Sequence, residues 1–287
     1  KIIGINSHSQ TGSKKQSNGG NGQVEPVIAV TNSINNAEAI IEFQSPTIAP
    51  LKNVAIATNA LERAIKRPRH LPGMVCFYGP SGFGKSYSAA FAANKHNAYY
   101  IECKSTWSKK AVLMALAKEM GLVPARTMYE LTDQITERLA LTDRPLIIDE
   151  MDHIVRREAV EIIRDLYEGS GCAMLLIGEE NLPNALQKWE RFHGRILDFI
   201  PAQAADANDV KILASFYCRR VKIAEDIQHE LARLAKGSIR RICVNLAHIE
   251  DEAIESGLTE IDLHTWSHVL KKQFWTGEAT IRKEYVR

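Results

Sequence analysis

One eight-residue segment limits what this chain can fold into more than any other: Gly-Pro-Ser-Gly-Phe-Gly-Lys-Ser at residues 79–86. It follows a short apolar run at residues 74–78, which is typical of a buried strand, and it opens a helical pattern over residues 85–96. The glycines, the lysine and the serine have the spacing of a phosphate-binding loop, and a strand before it with a helix after it is the context that the motif requires. We therefore expect a nucleoside triphosphate, ATP, to bind here.

The chemistry of this loop gives its residues separate tasks. Glycines allow successive backbone N–H groups to converge on phosphate oxygens, and the N-terminus of the following helix adds partial positive charge. Lys85 is expected to reach the outer phosphates, and Ser86 to hold Mg²⁺. Two other interpretations are a glycine-rich turn that matches by accident and a nucleophile elbow, which fails because Phe83 stands where its last glycine belongs. The predicted nucleotide-binding residues here are Gly79, Pro80, Ser81, Gly82, Phe83, Gly84, Lys85, Ser86 and Tyr87.

A second apolar segment, residues 146–148, ends in two acids, Asp149 and Glu150. Asp149 can orient the water shell of Mg²⁺, and Glu150 can polarise the attacking water. Carboxylates are common at strand ends, but behind a phosphate loop the pair predicts hydrolysis of ATP and not storage alone. Together with Lys85, these two residues form the predicted catalytic centre.

The fold class follows from the alternation of two patterns between residues 48 and 201. Short apolar runs bounded by turn residues predict buried strands, and the segments between them have helical periodicity. Strands that alternate with helices imply a mostly parallel sheet covered on both faces, which is an α/β fold. Strands are predicted at residues 74–78, 98–103, 146–148, 173–177 and 196–200, and helices at residues 53–66, 85–96, 108–120, 129–141, 156–167 and 182–189.

The strand pattern stops after residue 201. Helical periodicity continues at residues 206–220, 227–235, 239–256 and 261–274, which predicts a small all-helical domain. Residues 6–23 contain no hydrophobic side chain and predict a flexible segment. The predicted organisation is a flexible N-terminal tail at residues 1–47, an α/β ATPase domain at 48–201, a small helical lid domain at 202–274 and a basic C-terminal tail at 275–287.

Composition excludes several classes of protein. Hydrophobic residues make up 45% and charged residues 24% of the 287 residues, which is typical of a globular chain and not of a disordered or fibrous one. The longest apolar run, residues 111–117, is far shorter than the roughly 20 residues that cross a bilayer, and no secretory leader opens the chain. Five scattered cysteines predict reduced thiols and a cytoplasmic location. A net charge of +2 leaves any contact with nucleic acid to local patches.

Five segments together resemble the AAA+ ATPases, and more narrowly the DNA-transposition regulators typified by bacteriophage Mu B protein and its TnsC and TniB relatives. The resemblance spans about residues 48–272. It implies a P-loop AAA+ fold in which ATP binds between the subunits of a homo-oligomer, either a ring or a helical filament. The segments that carry it are YGPSGFGKS (78–86), LIIDEMDHI (146–154), LLIGEENL (175–182), WERFHGRI (189–196) and GSIRRICVNL (237–246).

The resemblance also implies two sensor residues beside the nucleotide. The first follows the strand at residues 173–177, where family members more often carry Asn, Thr or Ser directly after the glycine; here the role falls on Glu179 or Asn181. Arg240 matches the second sensor at the start of a helix in the C-terminal region, and Arg241 is the neighbouring candidate. Adjacent side chains on a helix point in different directions, so only one of the two arginines can face the nucleotide.

The resemblance further implies an arginine by which one subunit completes its neighbour's site. Arg191 is the preferred candidate and Arg195 is the reserve. A guanidinium group can bind the negative charge that spreads over the phosphoryl group during transfer. The alternative is that both arginines form ordinary surface ion pairs.

Two basic segments are candidates for contact with double-stranded DNA. Their cations and hydroxyl groups suit phosphate oxygens and read no sequence. In ring or spiral members of the family, the first segment faces the channel that holds DNA. The alternative is a solvated basic helix face, with Trp107 in the core. The predicted DNA-binding residues are Lys104, Ser105, Thr106, Trp107, Lys109 and Lys110 in the first segment, and Arg156 and Arg157 in the second.

The favoured function is an ATP-dependent protein that oligomerises on target DNA without strong sequence preference, recruits and activates a transposase, and is released when ATP is hydrolysed with Mg²⁺. A first alternative is an AAA+ ATPase with another task, such as an origin-recognition loader or a secretion-associated ATPase. A second is a nucleotide-gated scaffold with negligible hydrolysis, against which the intact Asp149 and Glu150 argue. No membrane contact is expected.

Overall fold

Short apolar runs form five parallel strands in residues 49–277, the part of the chain that the computed structural model describes. The strands are β1 Met74–Tyr78, β2 Tyr99–Glu102, β3 Leu146–Asp149, β4 Met174–Gly178 and β5 Ile196–Pro201. Their order in the sheet is β2-β3-β4-β1-β5. Strand β4 thus lies between the strand that leads into the phosphate loop and the strand that ends in Asp149. The predicted parallel α/β sheet is confirmed.

Helices cover both faces of the sheet because residues along each strand alternate between two apolar layers. On β1, Met74 and Cys76 belong to one layer, and Val75 and Phe77 belong to the other. The parallel strands bring their carboxyl ends to one edge, where the phosphate loop and Asp149 lie. The Val75 layer includes α1 Lys52–Lys66 and α2 Lys85–His96, and the Met74 layer includes α3 Lys109–Glu119, α4 Met128–Thr142, α5 Met151–Arg156, α6 Val160–Ser170, α7 Leu182–Leu186 and α8 Glu190–His193.

The chain after Pro201 builds a third apolar layer, here called the C-terminal layer. It contains the helices α9 Ala207–Tyr217, α10 Glu225–Ala235 and α11 Ile239–Glu255. It also contains two short parallel strands, β6 Lys222–Ile223 and β7 Glu260–Ile261, so the prediction of purely helical structure here was wrong. Leu51 and Val54 pack into this layer from the start of α1.

The helix predicted at residues 156–167 begins four residues later than predicted, and a separate short helix that was not predicted precedes it. Helix α5 ends at Arg156, and α6 begins at Val160. Glu158 takes a left-handed conformation with φ of 52°, and the next backbone N–H, that of Ala159, donates to the carbonyl of Ile154 at 3.0 Å. Glycine usually supplies this helix ending, and no glycine marks it here. The helix predicted at residues 182–189 ends early, at Leu186 of α7, and the next helix, α8, begins only at Glu190.

The helix predicted at residues 261–274 is shorter than predicted. The segment begins in β7, and its helical part covers only residues 263–269, of which Thr265–Val269 form a π-helix. The ring of the buried Trp266 stacks on Phe274 at 5.6 Å between centroids, which requires the chain to turn back after the π-helix.

The predicted tails lie mostly outside the described residues: the tail at 1–47 wholly, and the tail at 275–287 except for its first three residues. Trp275 exchanges two hydrogen bonds with Asn245 of α11, since its N–H donates to Oδ1 (2.7 Å) and its carbonyl accepts from Nδ2 (3.0 Å). Trp275 is therefore attached to the C-terminal layer. Across residues 49–277, no helix combines the length and the apolar character needed to span a membrane.

Candidate nucleotide site

The phosphate loop joins β1 to α2 through backbone conformations that favour glycine. Gly82 and Gly84 have φ of 86° and 79°, in the left-handed region that residues with a Cβ rarely adopt. A Cβ on Gly82 would lie 2.6 Å from Oγ of Ser238, and a Cβ on Gly84 would lie 2.9 Å from Cδ1 of Ile239. The start of α11 therefore closes directly over the loop, and glycine is needed at both positions.

Lys85 brings its charge into the same loop. Its Nζ donates to the carbonyl oxygens of Gly79 at 2.7 Å and Pro80 at 2.9 Å. Partial burial lowers the pKa of Lys85, while the carboxylates of Asp149 and Glu150 act in the opposite direction. The ammonium group thus lies between the loop and the two acids at the end of β3.

Asp149 is buried, with 1% of its surface exposed, and both of its carboxylate oxygens accept a hydrogen bond. Oδ1 accepts from the backbone N–H of Glu150 at 2.8 Å, and Oδ2 accepts from the hydroxyl of Tyr100 at 3.0 Å. Asp149 and the exposed Ser86 both line the cavity described below, and they offer the oxygen ligands that Mg²⁺ uses beside nucleotide phosphates. In residues 49–277 no group of three or more His, Cys, Asp and Glu side chains is placed to hold a metal by itself.

Glu150 follows in a strained conformation and faces the cavity. Its φ and ψ of 55° and 42° are left-handed, which is uncommon for a residue with a side chain. Partial burial, and secondly the charge of Asp149, raise the pKa of Glu150. A carboxylate with a raised pKa is a better proton acceptor near neutral pH, as a general base requires.

The end of β4 is fixed by Asp152, which sequence reasoning did not assign to the site. Oδ2 of Asp152 accepts from the backbone N–H of Glu179 at 2.7 Å. A Cβ on Gly178 would clash with the same oxygen and with Cδ2 of Leu182, which favours glycine at this position. Asp152 thereby holds the segment after β4 beside Asp149 and Glu150, the two acids at the end of β3.

The two candidates for the first sensor occupy different surroundings. Glu179 lines the cavity and forms an exposed ion pair with Arg156 at 3.3 Å. Asn181 is not among the cavity-lining residues, and its Oδ1 accepts from Nδ2 of Asn184 at 3.0 Å. Of the two, only Glu179 therefore reaches the cavity.

The cavity has a volume of about 290 Å³ and lies between the phosphate loop and the C-terminal layer. Tyr87 also lines it, and the Tyr87 hydroxyl accepts from the N–H of Ala49 at 3.2 Å. Burial, and secondly a hydrogen bond with Tyr87, raise the pKa of Tyr217 to about 12, so its phenol stays protonated. An apolar slot next to a phosphate loop suits a purine base. Apart from the tyrosines, its walls are the side chains of Leu51, Leu213, Ile239 and Cys243, which the sequence does not distinguish from core residues.

The two adjacent arginines of α11 point to different places. Arg240 lines the cavity, and its backbone N–H donates to the carbonyl of Gly82 at 3.3 Å. Arg241 lies against the end of the described chain, where a Cβ on Gly277 would be 2.9 Å from its Nε. The structure thus places Arg240, and not Arg241, beside the phosphate loop.

The two arginines before β5 also differ. Arg195 pairs with Glu168 of its own chain, with 3.0 Å between Nη2 and Oε1. Arg191 is exposed on α8 and forms no ion pair with the residues at positions 49–277. Neither arginine is among the residues that line the cavity.

The two predicted DNA segments meet in the folded chain. Nε and Nη2 of Arg157 donate to the carbonyl of Ser105, at 3.1 and 2.8 Å. Lys104 is exposed and pairs with Glu102 at 2.5 Å, and Lys110 donates to the carbonyl of Arg126 at 3.1 Å. We call this the basic surface; its exposed members are Lys104, Ser105, Thr106, Lys109, Lys110, Arg156 and Arg157, whereas Trp107 packs partly into the core.

Asn53 is a second residue that sequence reasoning missed. Its Nδ2 donates to the carbonyls of Phe83 (2.9 Å) and Gln203 (2.8 Å), and its Oδ1 accepts from the N–H of Gln203 (2.8 Å). Helix α1 is thereby attached both to the phosphate loop and to the connection after β5. The available signal was an amide side chain on the mostly apolar buried face of α1, beside Val54 and Ala57.

Two comparisons with known proteins find similarity over part of this chain. Residues 69–186 match the AAA domain. A stretch of 108 residues is 32% identical to the Mu-like prophage FluMu DNA transposition protein B of Haemophilus influenzae; it covers 37% of this chain and 37% of that protein. The chain therefore matches well under half the length of this curated relative.

Several solved structures share the fold at low sequence identity. The Aeropyrum pernix ORC2 protein superposes with a TM-score of 0.58 over 76% of this chain and 68% of its own, at 16% identity. Two further structures superpose with a TM-score of 0.56 over 76% of this chain at 16% identity. They are Cdc6p of Pyrobaculum aerophilum, covered over 66% of its own chain, and the ORC1 protein of Aeropyrum pernix in complex with DNA, covered over 64%. The chain therefore contains an AAA domain at residues 69–186, is similar over part of its length to a phage transposition protein B, and shares the fold of these solved structures.

Proposed function

We propose that this chain is an ATP-dependent DNA-binding protein that assembles on duplex DNA without strong sequence preference and recruits a transposase, and that ATP hydrolysis releases it. The observation that carries this proposal is the 32% identity to a DNA transposition protein B. The likeness to ORC and Cdc6 proteins, at 16% identity, concerns the fold and does not favour their tasks. The five free cysteines are compatible with a cytoplasmic protein.

The groups that would bind the phosphates and the base of ATP all lie around the cavity of this chain. The backbone N–H groups of the loop and the ammonium of Lys85 would bind phosphate oxygens, in place of the loop carbonyls that Lys85 now contacts. The base would enter the apolar slot beside Tyr217. Mg²⁺ would be held by Ser86 and Asp149, and when bound it supplies charge that neutralises the phosphates.

Hydrolysis would depend on the position of Glu150. Its carboxylate faces the cavity at the end of β3, and its raised pKa suits the removal of a proton from water. Arg240 would contact the phosphates from α11 and so connect the nucleotide to the C-terminal layer. Arg191 would reach the nucleotide of an adjacent subunit, because it is exposed and lies away from this chain's own cavity.

The basic surface supports contact with DNA through phosphates. Lys104 pairs with Glu102, and Lys109 and the hydroxyls of Ser105 and Thr106 are exposed beside it, so the loop presents groups that suit phosphate oxygens. Lys104→Ala should weaken binding to all duplex sequences alike and reduce the slope of log affinity against log salt by about 1. Lys118→Ala, at the far end of α3, is the matched control and should leave the slope unchanged. An unaltered slope for Lys104→Ala would remove this surface from the proposal.

The decisive experiment is electron microscopy of the protein with duplex DNA in the presence of ATP or ADP. The proposal expects long assemblies on DNA with ATP and their absence with ADP, because nucleotide between subunits would hold the assembly together. Separate monomers in both conditions would refute assembly. Filaments that form with ATP but persist while phosphate is released would refute release by hydrolysis.

A further inference from the structure

Tyr100 is brought to the metal side of the site by the pairing of β2 with β3. In that register Tyr100 lies opposite Ile147, and Glu102 lies opposite Asp149. Tyr100 and Asp149 are thus diagonal neighbours on the face of the sheet that α2 covers, and a long aromatic side chain can span such a diagonal. The phenol oxygen lies 3.0 Å from Oδ2 of Asp149.

The hydrogen bond from Tyr100 completes a two-sided support for the carboxylate of Asp149. The backbone N–H of Glu150 binds Oδ1, so each oxygen receives one donor, and the carboxylate plane is held from both ends. A carboxylate has about four lone-pair sites, which leaves about two for water molecules around a metal ion. A tyrosine hydroxyl can donate this hydrogen bond, whereas an ionised carboxylate can only accept one.

We propose that Tyr100 is a positioning residue for Mg²⁺: its hydroxyl fixes the carboxylate of Asp149 in the orientation that the metal's ligand shell requires. The inference rests on the proposed use of Asp149 in binding Mg²⁺ with ATP. Mg²⁺ demands near-ideal octahedral geometry, so a ligand free to rotate binds it less well. Groups that orient metal ligands in this way typically change metal affinity or activity by roughly 10 to 100-fold when removed.

The test is Tyr100→Phe, which removes one oxygen atom and keeps the ring. Binding of a fluorescent, non-hydrolysable ATP analogue is measured against MgCl₂ concentration and again in EDTA. We expect the Mg²⁺ concentration for half-maximal tight binding to rise by roughly 10 to 100-fold, with affinity in EDTA unchanged. A purely structural role would alter both affinities or neither. Mn²⁺ binding to the protein with the analogue, followed by electron paramagnetic resonance, gives a second readout of the metal itself.

Tyr99→Phe is the matched control. Tyr99 is the preceding residue, it belongs to the opposite apolar layer, and its ring lies 3.8 Å from the guanidinium of Arg144. Loss of its hydroxyl should leave the Mg²⁺ dependence unchanged. In an Asp149→Asn background, Tyr100→Phe should have no further effect, since the carboxylate that it orients is gone.

The outcomes separate this inference from the proposed function. If the wild-type protein binds the analogue with a Mg²⁺ requirement and Tyr100→Phe keeps the same requirement, the role of Tyr100 is refuted while ATP binding stands. If the wild-type protein binds no nucleotide, the proposed function itself fails. Equal effects of Tyr100→Phe with Asp149 present or replaced would also overturn the inference.

Discussion

Asn53 provides the sharpest test of how the phosphate loop is held in place. Only 3% of this residue is exposed, and its amide makes three hydrogen bonds with backbone groups of Phe83 and Gln203. Asn53→Ala removes all three bonds and leaves two carbonyls and one N–H without these partners. At about 1 kcal/mol for each bond, and more where a buried group stays unpaired, we expect the free energy of unfolding to fall by about 2 to 4 kcal/mol.

Urea unfolding followed by circular dichroism measures this loss. With a denaturant slope of about 1 to 3 kcal/mol per molar urea, the midpoint should fall by roughly 1 M or more. Asn59→Ala is the matched control, since Asn59 is exposed on the same helix and its replacement should change stability by less than about 0.5 kcal/mol. Affinity for ATP should also fall for Asn53→Ala, because the Phe83 carbonyl belongs to the loop. Equal midpoints for the two variants would refute the attachment of α1 to the loop.

Three further predictions concern the acids and the loop. Glu150→Gln should bind ATP and lose roughly 10² to 10⁴-fold in turnover, measured as phosphate release, and normal turnover would remove Glu150 from the mechanism. Gly82→Ala should lose ATP affinity, because the φ of 86° at this position is strained for alanine and the new Cβ would lie 2.6 Å from Oγ of Ser238. A second change, Ser238→Gly, should restore part of the affinity. Full ATP affinity of Gly82→Ala alone would contradict the close approach of α11 to the loop. The hydrogen bond with Lys52, then those with backbone N–H groups, lower the pKa of Asp206 below its ordinary 3.8, so the stability it contributes is present above that pH and is lost as pH falls below it. The thermal unfolding midpoint should therefore fall less between pH 5 and pH 3 for Asp206→Asn than for the wild type. An equal fall in the two proteins would count against this ion pair.

The main elements of the fold could be predicted because their signals are local. Each strand of the sheet is a short run of apolar residues bounded by turns, and burial on both faces removes the need for alternation. Strand β1 and helix α2 have the predicted bounds, and the other strand ends lie within one residue of the prediction. The phosphate loop was recognisable because its glycines serve a backbone geometry that other residues avoid.

The errors occurred where a structure depends on an unusual residue or on a distant partner. Glu158 adopts the left-handed conformation that glycine usually provides, so the break between α5 and α6 has no glycine to announce it. Strands β6 and β7 have two residues each, and each exists only because the other is brought beside it. In the last segment the expected helix ends early, at Val269, and the chain turns back so that Phe274 stacks on Trp266.

The sequence alone determined the phosphate loop, the two acids after β3, and the parallel α/β class, since each rests on residues adjacent in the chain. Tertiary structure decided which side chains share the site. It selected Arg240 over Arg241, placed the hydroxyl of Tyr100 on Asp149 across 49 positions of sequence, and joined Arg157 to the loop that contains Ser105. Such contacts depend on the order of strands and the packing of helices, and residue spacing along the chain does not encode the distance between side chains on different elements.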